Sequence, residues 1–414
     1  MKILLSTTPS EGQFNDWTTP KHFESYKVNK YMPLGILSLA TNIKGNHEIK
    51  VIDPASDNLS IEKTISIIEK ENPDIFGLST PTRRVYAMKE ILQNIDIPYI
   101  AVGGPHATYY SKQILDLGAD ASFIGQVADL EFNKAIETKQ KGIIYCNTNI
   151  NDISFPKRDF LNIKDYFPKE FALFKSNFRL PMFTSVGCPN RCNFCNVQTK
   201  KVQYKNSDII IKEMEYLKSL GCGSIHILDD NFNISENHVK GILDKIEKRE
   251  LNMEWSGRGQ TKMDYSLLER MAKDGFKRIH VGIEALDDKI LKFFNKNEKY
   301  VDILHFCDAC VQNNIDILGY FIIGSPVETK EYRLSLLDRI ESLGITYPFL
   351  NILYPEPNTE YYNQLLRDGI YKRDYWKEYM ENPTPDYELP YPYGEEKKEE
   401  IFNFVDDCID RLKK

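Results

Sequence analysis

The sequence predicts an α/β protein whose N-terminal domain is a doubly wound, Rossmann-like parallel sheet. A partial (β/α)6 barrel of the TIM type follows it, and a mostly helical segment comes last. Short apolar runs alternate with amphipathic helical patterns over residues 1–137, and the alternation resumes with a longer period after residue 181. A third observation is that polar and glycine-rich residues follow the predicted strands, where sheets of these two kinds bind their ligands.

Composition places the chain among ordinary globular proteins. Of its 414 residues, 42% are hydrophobic and 27% are charged, and the net charge is −7 without a basic tract. This charge argues against a nucleic-acid binder, and no apolar run approaches the ~18 residues of a membrane span. The opening Met1–Ser6 is too short for a signal peptide and predicts a strand. Cysteines outside one cluster show no disulfide-framework spacing, which favours a reducing cytoplasm.

Five strands and four helices are predicted in the first domain, residues 1–137. The strands are predicted at Ile3–Leu5, Ile49–Ile52, Ile75–Leu78, Tyr99–Val102 and Ala121–Ile124. The helices are predicted from amphipathic patterns near 33–43, 60–71, 83–94 and 109–117. Because strands alternate with helices, the sheet should be parallel and its ligand should lie beyond the carboxyl ends of the strands.

Two turns at those carboxyl ends are candidates for ligand contact. Ser79 and Thr80 follow the third strand, and Gly103, Gly104 and His106 follow the fourth. Adjacent glycines let a backbone approach a bulky ligand closely, although each turn alone is equally consistent with a plain turn. A lone histidine after such a turn is more often a capping or contact residue than a metal ligand.

The rest of the chain divides into a linker, a second domain and an extension. Residues 138–180 are polar and interrupted by prolines, which predicts the linker. Six strands separated by helical patterns predict the barrel over 181–360. They are expected at 182–186, 225–228, 253–256, 278–283, 317–323 and 349–353. Residues 361–414 are a C-terminal extension rich in tyrosine and proline, for which packing against the barrel is favoured over a cover for the substrate.

Three of the eight cysteines, Cys188, Cys192 and Cys195, lie within eight residues and directly after the first barrel strand. Thiolates suit iron–sulfur clusters and zinc. Three of them can hold a [4Fe–4S] cluster and leave one iron without a protein ligand, so that it can bind a substrate. The flanking glycine and proline disfavour a helix face. A structural zinc site would need a fourth ligand recruited from far along the chain.

The spacing Cys-x-x-x-Cys-x-x-Cys, with Phe194 before the last cysteine, resembles the radical S-adenosylmethionine (SAM) superfamily. The resemblance implies that the three cysteines bind a [4Fe–4S] cluster whose open iron holds the amino and carboxylate groups of SAM. One electron from the cluster then cleaves SAM to a 5′-deoxyadenosyl radical, which implies an external electron donor similar to flavodoxin or ferredoxin. Phe194 matches the aromatic residue whose neighbourhood contacts adenine.

Polar residues after the other barrel strands resemble SAM contacts of that family. Asp229 and Asp230 match an Asp-Asp-x-Phe element that is expected to orient the SAM ammonium group. Arg258 follows the next strand, where it is expected to meet the SAM carboxylate, and Glu284 matches a Gly-x-Glu element that reaches the ribose or the ammonium group. Two alternatives stay open: one aspartate caps the following helix, and Arg258 forms a structural ion pair.

The Ser-Thr turn and the Gly-Gly turn, ahead of a radical SAM motif, resemble the cobalamin-binding domain of one radical SAM subclass. The contacts implied for cobalamin are Gly35, Ser79, Thr80, Gly103, Gly104, His106 and Gly125. Two positions depart from the family pattern. Met32 stands where the Asp-x-His-x-x-Gly element has its histidine, and Gln126 follows Gly125 where many relatives have Gly-x-Gly-Glu. We therefore expect cobalamin to bind without a histidine ligand to cobalt.

The resemblance implies methyl transfer, in which one SAM methylates cobalt and another yields the radical that removes hydrogen from the substrate. The expected acceptor is an unactivated carbon or a phosphorus of a small molecule or peptide. A cyclase or rearrangement enzyme with the same cofactors is the alternative among enzymes. A non-catalytic cobalamin or iron–sulfur binding module is the alternative outside them. The sequence names no catalytic acid or base and no substrate, because fold does not determine function.

Overall fold

The computed structural model describes residues 1–14, 17, 31–166, 179–197, 199–385 and 387–412. The chain divides into two compact units. Unit 1 comprises residues 1–15, 30–166 and 374–389, and unit 2 comprises residues 16–29, 167–373 and 390–414. The first part of the predicted linker therefore belongs to unit 1, and its residues 167–178 lie outside the described ones. The domain boundaries derived from the sequence stay predictions.

Unit 1 is built on a parallel sheet. Its strands are Lys2–Thr7 (β1), Glu48–Ile52 (β2), Ile75–Ser79 (β3), Ile100–Gly103 (β4), Ala121–Ile124 (β5) and Gly142–Tyr145 (β6). Its first helices are Leu34–Asn42 (α1), Pro54–Asp57 (α2), Ile61–Glu71 (α3), Val85–Gln93 (α4), Pro105–Asp116 (α5) and Asp129–Thr138 (α6). The strand order is β2-β1-β3-β4-β5-β6, so the connections reverse direction between β1 and β3. Doubly wound sheets bind ligands at such a reversal.

The predicted Rossmann-like domain is confirmed, with one further strand. All five predicted strands are present, and β6 was hidden inside the predicted linker. β6 lies at the edge of the sheet, where Ile143 and Tyr145 are 40% and 67% exposed. An edge strand is solvated on one side, so its flanking sequence is as polar as a linker and its apolar run is short.

Unit 2 carries a second parallel sheet and a short ribbon. Its strands are Arg179–Met182 (β7), Ser185–Val186 (β8), Gln203–Tyr204 (β9), Ser224–Ile227 (β10), Glu254–Gly259 (β11), Phe276–Glu284 (β12), Asp316–Ile323 (β13) and Tyr347–Ile352 (β14). The parallel sheet has the order β14-β13-β12-β11-β10-β7, and β8 pairs with β9 in an antiparallel ribbon. The six-stranded (β/α) barrel domain is confirmed.

Helices connect the barrel strands and continue to the C-terminal end. They are Ser207–Ser219 (α7), Glu236–Arg249 (α8), Ser266–Lys273 (α9), Asp288–Phe293 (α10), Tyr300–Gln312 (α11), Lys330–Ser342 (α12), Glu360–Arg367 (α13), Tyr375–Glu381 (α14) and Glu395–Leu412 (α15). The mostly helical C-terminal segment is thus confirmed. In unit 1, Trp376 of α14 stacks on Phe14 with ring centroids 4.7 Å apart. In unit 2, Ile401 and Val405 of α15 are buried. No helix of the described ranges is long and apolar enough to cross a membrane.

The first barrel strand was predicted at 182–186, which was wrong by several residues. The strand ends at Met182, and the chain turns at Thr184 before the ribbon begins at Ser185. The reason is a tertiary contact: Thr184 and Ser185 both donate hydrogen bonds to Asp229, at the end of β10. These bonds replace ladder bonds that a continued strand would make.

Alternate residues of the barrel strands make one face of the sheet apolar and the other polar. Ile225, Trp255 and Ile279 share an apolar face, and all three are buried. The other face is polar although it is also buried. It carries Arg179, His226, Ser256, Arg278 and His280. A polar interior in a barrel of this kind is a place for chemistry rather than for packing.

Candidate active site

The cysteine loop is closed at its base by the β8–β9 ribbon. Within it, the backbone N–H of Cys188 donates to the carbonyl of Thr199 at 3.0 Å, and that of Cys195 donates to the carbonyl of Cys192 at 3.2 Å. Gly187 opens the loop with φ of +92°, and a Cβ there would lie 2.6 Å from the carbonyl oxygen of Lys201. Only glycine satisfies both conditions, so Gly187 directs the chain into the loop.

The three thiols of the loop gather in one place. Each is partly exposed, Cys188 and Cys195 both raise the pKa of Cys192 electrostatically, and Cys188 also raises that of Cys195. Burial raises the pKa of all three thiols, and that of Cys192 rises to about 11. Within the described part of the chain, no three His, Cys, Asp or Glu side chains converge on a single metal ion. A [4Fe–4S] cluster does not require such convergence, because each cysteine binds a different iron.

The two aspartates after β10 have different environments. Asp229 is fully buried, and its carboxylate accepts hydrogen bonds from the N–H of Thr184 at 2.7 Å, the hydroxyl of Thr184 at 2.5 Å and the hydroxyl of Ser185 at 2.7 Å. Burial raises its pKa against these bonds. Asp230 is exposed and accepts a hydrogen bond from the N–H of Gly187 at 3.0 Å. Asp229 therefore positions the loop, whereas Asp230 has a carboxylate that a ligand can reach.

Glu284 ends β12 in a strained conformation. Its φ is +64°, and the N–H of Ala285 donates to the carbonyl of Ile283 at 2.8 Å, which makes a tight three-residue turn. The turn folds the carboxylate back over Gly282, where any Cβ would collide with it. This explains the glycine of the Gly-x-Glu element. Lys296 lies 3.6 Å from Glu284, and burial raises the pKa of the Glu284 carboxyl against the effect of that ammonium group.

Arg258, at the end of β11, is half-buried and forms neither an ion pair nor a side-chain hydrogen bond with any residue that the structure describes. The alternative of a structural ion pair is therefore not supported there. Nearby, the rings of His226 and His280 lie 4.5 Å apart in the barrel interior. Burial and neighbouring arginines lower the pKa of both imidazoles well below the usual value, so both stay neutral.

In unit 1, the turns after β3 and β4 pack directly on each other. The N–H of Thr80 donates to the carbonyl of Gly103 at 3.1 Å, and the N–H of His106 donates to the carbonyl of Thr80 at 3.1 Å. Gly104 has φ of +93°, and a Cβ there would lie 2.8 Å from the Ser79 hydroxyl and 3.0 Å from the Thr80 backbone. The five residues that the sequence assigned to these turns are therefore brought together at one edge of the sheet.

His106 is fully buried beneath these turns. Its Nε2 is 2.9 Å from Oε1 of Gln113, whose amide donates to the carbonyl of Met380 at 2.5 Å. Its ring stacks on Tyr110 at 5.0 Å, and burial lowers its pKa to about 4. A neutral histidine that also links α5 to the C-terminal segment of unit 1 has a structural role in addition to any ligand contact.

The two remaining cobalamin candidates differ, since Gly125 is bonded to the helix that follows the Gly-Gly turn and Gly35 has no described contact with either turn. Gly125 follows β5 with φ of +131°, and its N–H donates to the Thr108 hydroxyl at 3.4 Å. Gly35 lies in the first turn of α1, with no atom within 4 Å of where a Cβ would be. Met32, which replaces the family histidine, is buried. No described contact joins Gly35 to the turns, so its role stays a prediction.

Comparison with known proteins agrees with both sites. The family model of the B12 binding domain matches residues 28–131, and that of the radical SAM superfamily matches residues 182–340. This chain is a radical SAM enzyme with a cobalamin-binding domain. An uncharacterized methyltransferase of Pyrococcus horikoshii is 24% identical over 413 residues, which cover 92% of this chain and 86% of the relative. Cytidylyl-2-hydroxyethylphosphonate methyltransferase of Streptomyces wedmorensis is 22% identical and covers 82% of this chain and 78% of its own length.

The fold is also that of a solved radical SAM methyltransferase. TsrM from Kitasatospora setae, solved with tryptophan and a SAM analogue, superposes with a TM-score of 0.66 at 14% identity. The alignment covers 89% of this chain and 76% of TsrM. The cofactors of this radical SAM enzyme are a [4Fe–4S] cluster, SAM and cobalamin.

The residues of unit 2 fit a cluster with SAM. Cys222 and His226, the nearest other Cys and His along the chain, are buried and hydrogen-bonded to Ser224 and Ser256, and the assignment of the three loop cysteines as cluster ligands stays a prediction. SAM carries an ammonium and a carboxylate group, which suit the exposed Asp230 and the unpaired Arg258. Phe194 is partly exposed and contacts Phe294 edge-on at 5.3 Å. The contacts of Phe194, Asp229, Asp230, Arg258 and Glu284 with SAM stay predictions.

The residues of unit 1 fit a large ligand such as cobalamin. Nδ1 of His106 and the hydroxyl of Ser122 are buried without a hydrogen-bond partner. Buried polar atoms without a partner are rare in proteins, and a ligand that bonds to them is one way to satisfy them. Ser122 lies on β5 opposite Val102 of β4, so both atoms belong to the region of the Gly-Gly turn.

Three residues of the site were missed by the sequence analysis. Asn231 has a buried side-chain oxygen without a partner, and its amide donates to Gln260 at 3.0 Å. Gln260 also accepts a hydrogen bond from Asn190 of the cysteine loop at 3.4 Å. Lys296 is the third. Asn231 could have been found, since it stands between Asp230 and Phe232 in the family element, but no spacing marks Gln260 or Lys296.

Proposed function

We propose that this radical SAM enzyme transfers a methyl group to an unactivated carbon, or to a phosphorus, of a small molecule or peptide. The supporting observation is that one chain combines a three-cysteine loop at the strand ends of unit 2 with the two tight turns of a cobalamin domain in unit 1. The names of the Pyrococcus and Streptomyces relatives as methyltransferases support the same reaction.

When bound, the cluster and SAM supply a radical, and cobalamin supplies a transferable methyl group. The residues of this chain bind and orient these groups. Asp230 and Arg258 offer opposite charges to the two charged groups of SAM, and Glu284 offers a carboxylate at the end of the next strand. In unit 1, a positive φ and the closeness of Ser79 and Thr80 leave no room for a side chain at Gly104, which keeps the turn compact for a ligand above it.

The cellular compartment and the partners of the enzyme are also part of the proposal. None of the eight cysteines forms a disulfide bond, which suits a reducing cytoplasm. We propose an external low-potential electron donor similar to flavodoxin or ferredoxin, and a reaction that involves no nucleic acid. The net charge of −7 supports the second of these proposals.

The absence of the family histidine gives a spectroscopic test of the cobalamin site. Met32 occupies that position and is buried, while Nε2 of His106 is bonded to Gln113. We expect the Co(II) form to show no nitrogen hyperfine coupling from a protein histidine in electron paramagnetic resonance. Such coupling would show that a histidine binds cobalt.

Methyl transfer is tested with SAM deuterated in its methyl group. The anaerobically reconstituted enzyme is reduced with dithionite and incubated with candidate substrates, chosen from the pathways that neighbouring genes suggest. We expect a product that carries the deuterium label in mass spectra, together with 5′-deoxyadenosine. The Cys192→Ala variant is the control and should give neither.

Two other results would replace the proposal. An unlabelled, rearranged product would indicate a cyclase or rearrangement enzyme that uses the same cofactors. A protein that binds cluster and cobalamin yet never cleaves SAM under reducing conditions would be a binding module.

A further inference from the structure

The segment Phe293–Glu298, between α10 and α11, braces the cysteine loop. The N–H of Asn193 donates to the carbonyl of Phe294 at 3.1 Å, and its side-chain amide donates to the carbonyl of Phe293 at 2.7 Å. On the other side of Cys192, the amide of Asn295 donates to the carbonyl of Arg191 at 2.6 Å. The backbone is therefore held on both sides of Cys192 by one segment, which none of the sequence motifs includes.

The same segment carries a buried ammonium group. Lys296 has a side chain only 12% exposed, donates to the carbonyl of Gly282 at 2.7 Å, and lies 3.0 Å from Glu298 and 3.6 Å from Glu284. Burial alone would lower the pKa of a lysine, yet the two carboxylates and Cys192 raise the pKa of this one above its usual value. Lys296 is therefore charged, and its charge lowers the pKa of the Cys192 thiol against the effect of burial.

We infer that Lys296 is a positioning residue that sets the charge balance around the cluster and so makes the cluster easier to reduce. Reduction by the external donor adds one electron, and therefore one negative charge, to a cluster already held by three thiolates. A cation held close by in a buried site stabilises that added charge, whereas a carboxylate destabilises it. The carboxylate of Glu298 should therefore make the cluster harder to reduce, whereas Lys296 makes it easier. The carboxylate of Glu284 lies beside the same ammonium group. The inference depends on the cluster but not on methyl transfer.

A purely structural role predicts something different. If the charges of Lys296 and its two carboxylate partners did not act on the cluster, and Lys296 only held Glu284 and Glu298 in place, its removal would change the stability of the protein and leave the reduction potential of the cluster unchanged. The direction of a potential shift therefore separates the two roles, and opposite shifts for a lysine and a carboxylate variant exclude a general disturbance of the loop.

The experiment is an anaerobic redox titration of the reconstituted protein, followed by electron paramagnetic resonance of the reduced cluster. Four variants are compared with the wild type: Lys296→Met, Lys296→Arg, Glu298→Gln and Lys292→Met. All titrations are carried out at one and the same pH. Iron and sulfide content is measured for each sample. Lys292 is the matched control, since it is an exposed lysine one turn earlier on α10.

We expect a more negative midpoint for Lys296→Met, a midpoint close to the wild type for Lys296→Arg and Lys292→Met, and a more positive midpoint for Glu298→Gln. Equal midpoints for Lys296→Met and the wild type, at equal iron and sulfide content, would overturn the inference. If Lys296→Met holds too little iron to titrate, Glu298→Gln decides: a positive shift supports the inference, and an unchanged or negative one rejects it. Since no substrate is present, these results do not depend on which reaction the enzyme catalyses.

Discussion

Asp229→Asn is the most informative substitution in the barrel, because Asp229 and its neighbour Asp230 have different roles in the structure. The carboxylate of Asp229 is fully buried and accepts three hydrogen bonds from Thr184 and Ser185. One of its oxygens accepts both hydroxyl bonds. In an asparagine, an NH₂ group would face those hydroxyls if the other oxygen kept its bond to the Thr184 N–H. Both hydroxyls would then lose the acceptor that holds them.

The cost of this substitution follows from those two bonds. A hydrogen bond to a charged group contributes about 1.5–3 kcal/mol, so two lost bonds cost about 3–6 kcal/mol. Part of this is offset, because burial of the carboxylate is itself unfavourable and raises its pKa. We expect a net loss of about 3 kcal/mol in the free energy of unfolding. For a unit of this size, that lowers the melting temperature by about 6–12 °C.

The assay is anaerobic thermal unfolding, combined with iron content and SAM affinity, and the control is Asp230→Asn. Asp230 is exposed, so the free energy of unfolding of its variant should lie within about 0.5 kcal/mol of that of the wild type. We expect Asp229→Asn to melt early and to hold less iron, because the turn that leads into the cysteine loop is loosened. Asp230→Asn should instead keep its iron and weaken SAM binding. If Asp229→Asn melts like the wild type and loses only SAM affinity, the buried carboxylate binds SAM and this reasoning is wrong.

Three further outcomes follow from the structure. Cys192→Ala should abolish iron uptake, whereas Cys310→Ala, in the core of α11, should keep the cluster; equal iron in both variants would contradict the ligand assignment. Gly104→Ala should weaken cobalamin binding about tenfold or more, because its Cβ would press on Ser79 and Thr80, and equilibrium titration of the corrin absorbance measures this. In the folded protein the pKa of His106 is about 4, below its value of 6.5 in the unfolded chain. Its contribution to the free energy of unfolding is therefore fully present above pH 6.5 and is lost as the pH falls. The free energy of unfolding should fall by about 2 kcal/mol between neutral pH and pH 5, and by less in His106→Gln. Denaturant unfolding at several pH values measures this, and the same pH dependence in both proteins would contradict it.

The sequence was sufficient for most of the elements and for the cofactors that the cysteine loop implies. Apolar periodicity predicted the buried strands of both sheets, since such strands must carry apolar runs whatever their neighbours are, but it missed the edge strand β6 and misplaced the end of β7. Three cysteines in a turn predicted an open cluster, because thiolates at that spacing have few other uses. The two turns of unit 1 were predicted for the same kind of reason: glycine pairs and small hydroxyl residues allow close backbone approach.

Tertiary structure alone decided how the polar residues divide their work. Asp229 and Asp230 are adjacent in sequence, yet one is buried against Thr184 and the other is exposed. Lys296 lies in no motif and joins the site only because its segment folds against the cysteine loop. The physical reason is that secondary structure depends mainly on the sterics and hydrophobicity of residues that are close together in the sequence. The task of a charged group depends instead on which charges and donors lie within a few ångströms, and these come from distant positions in the sequence.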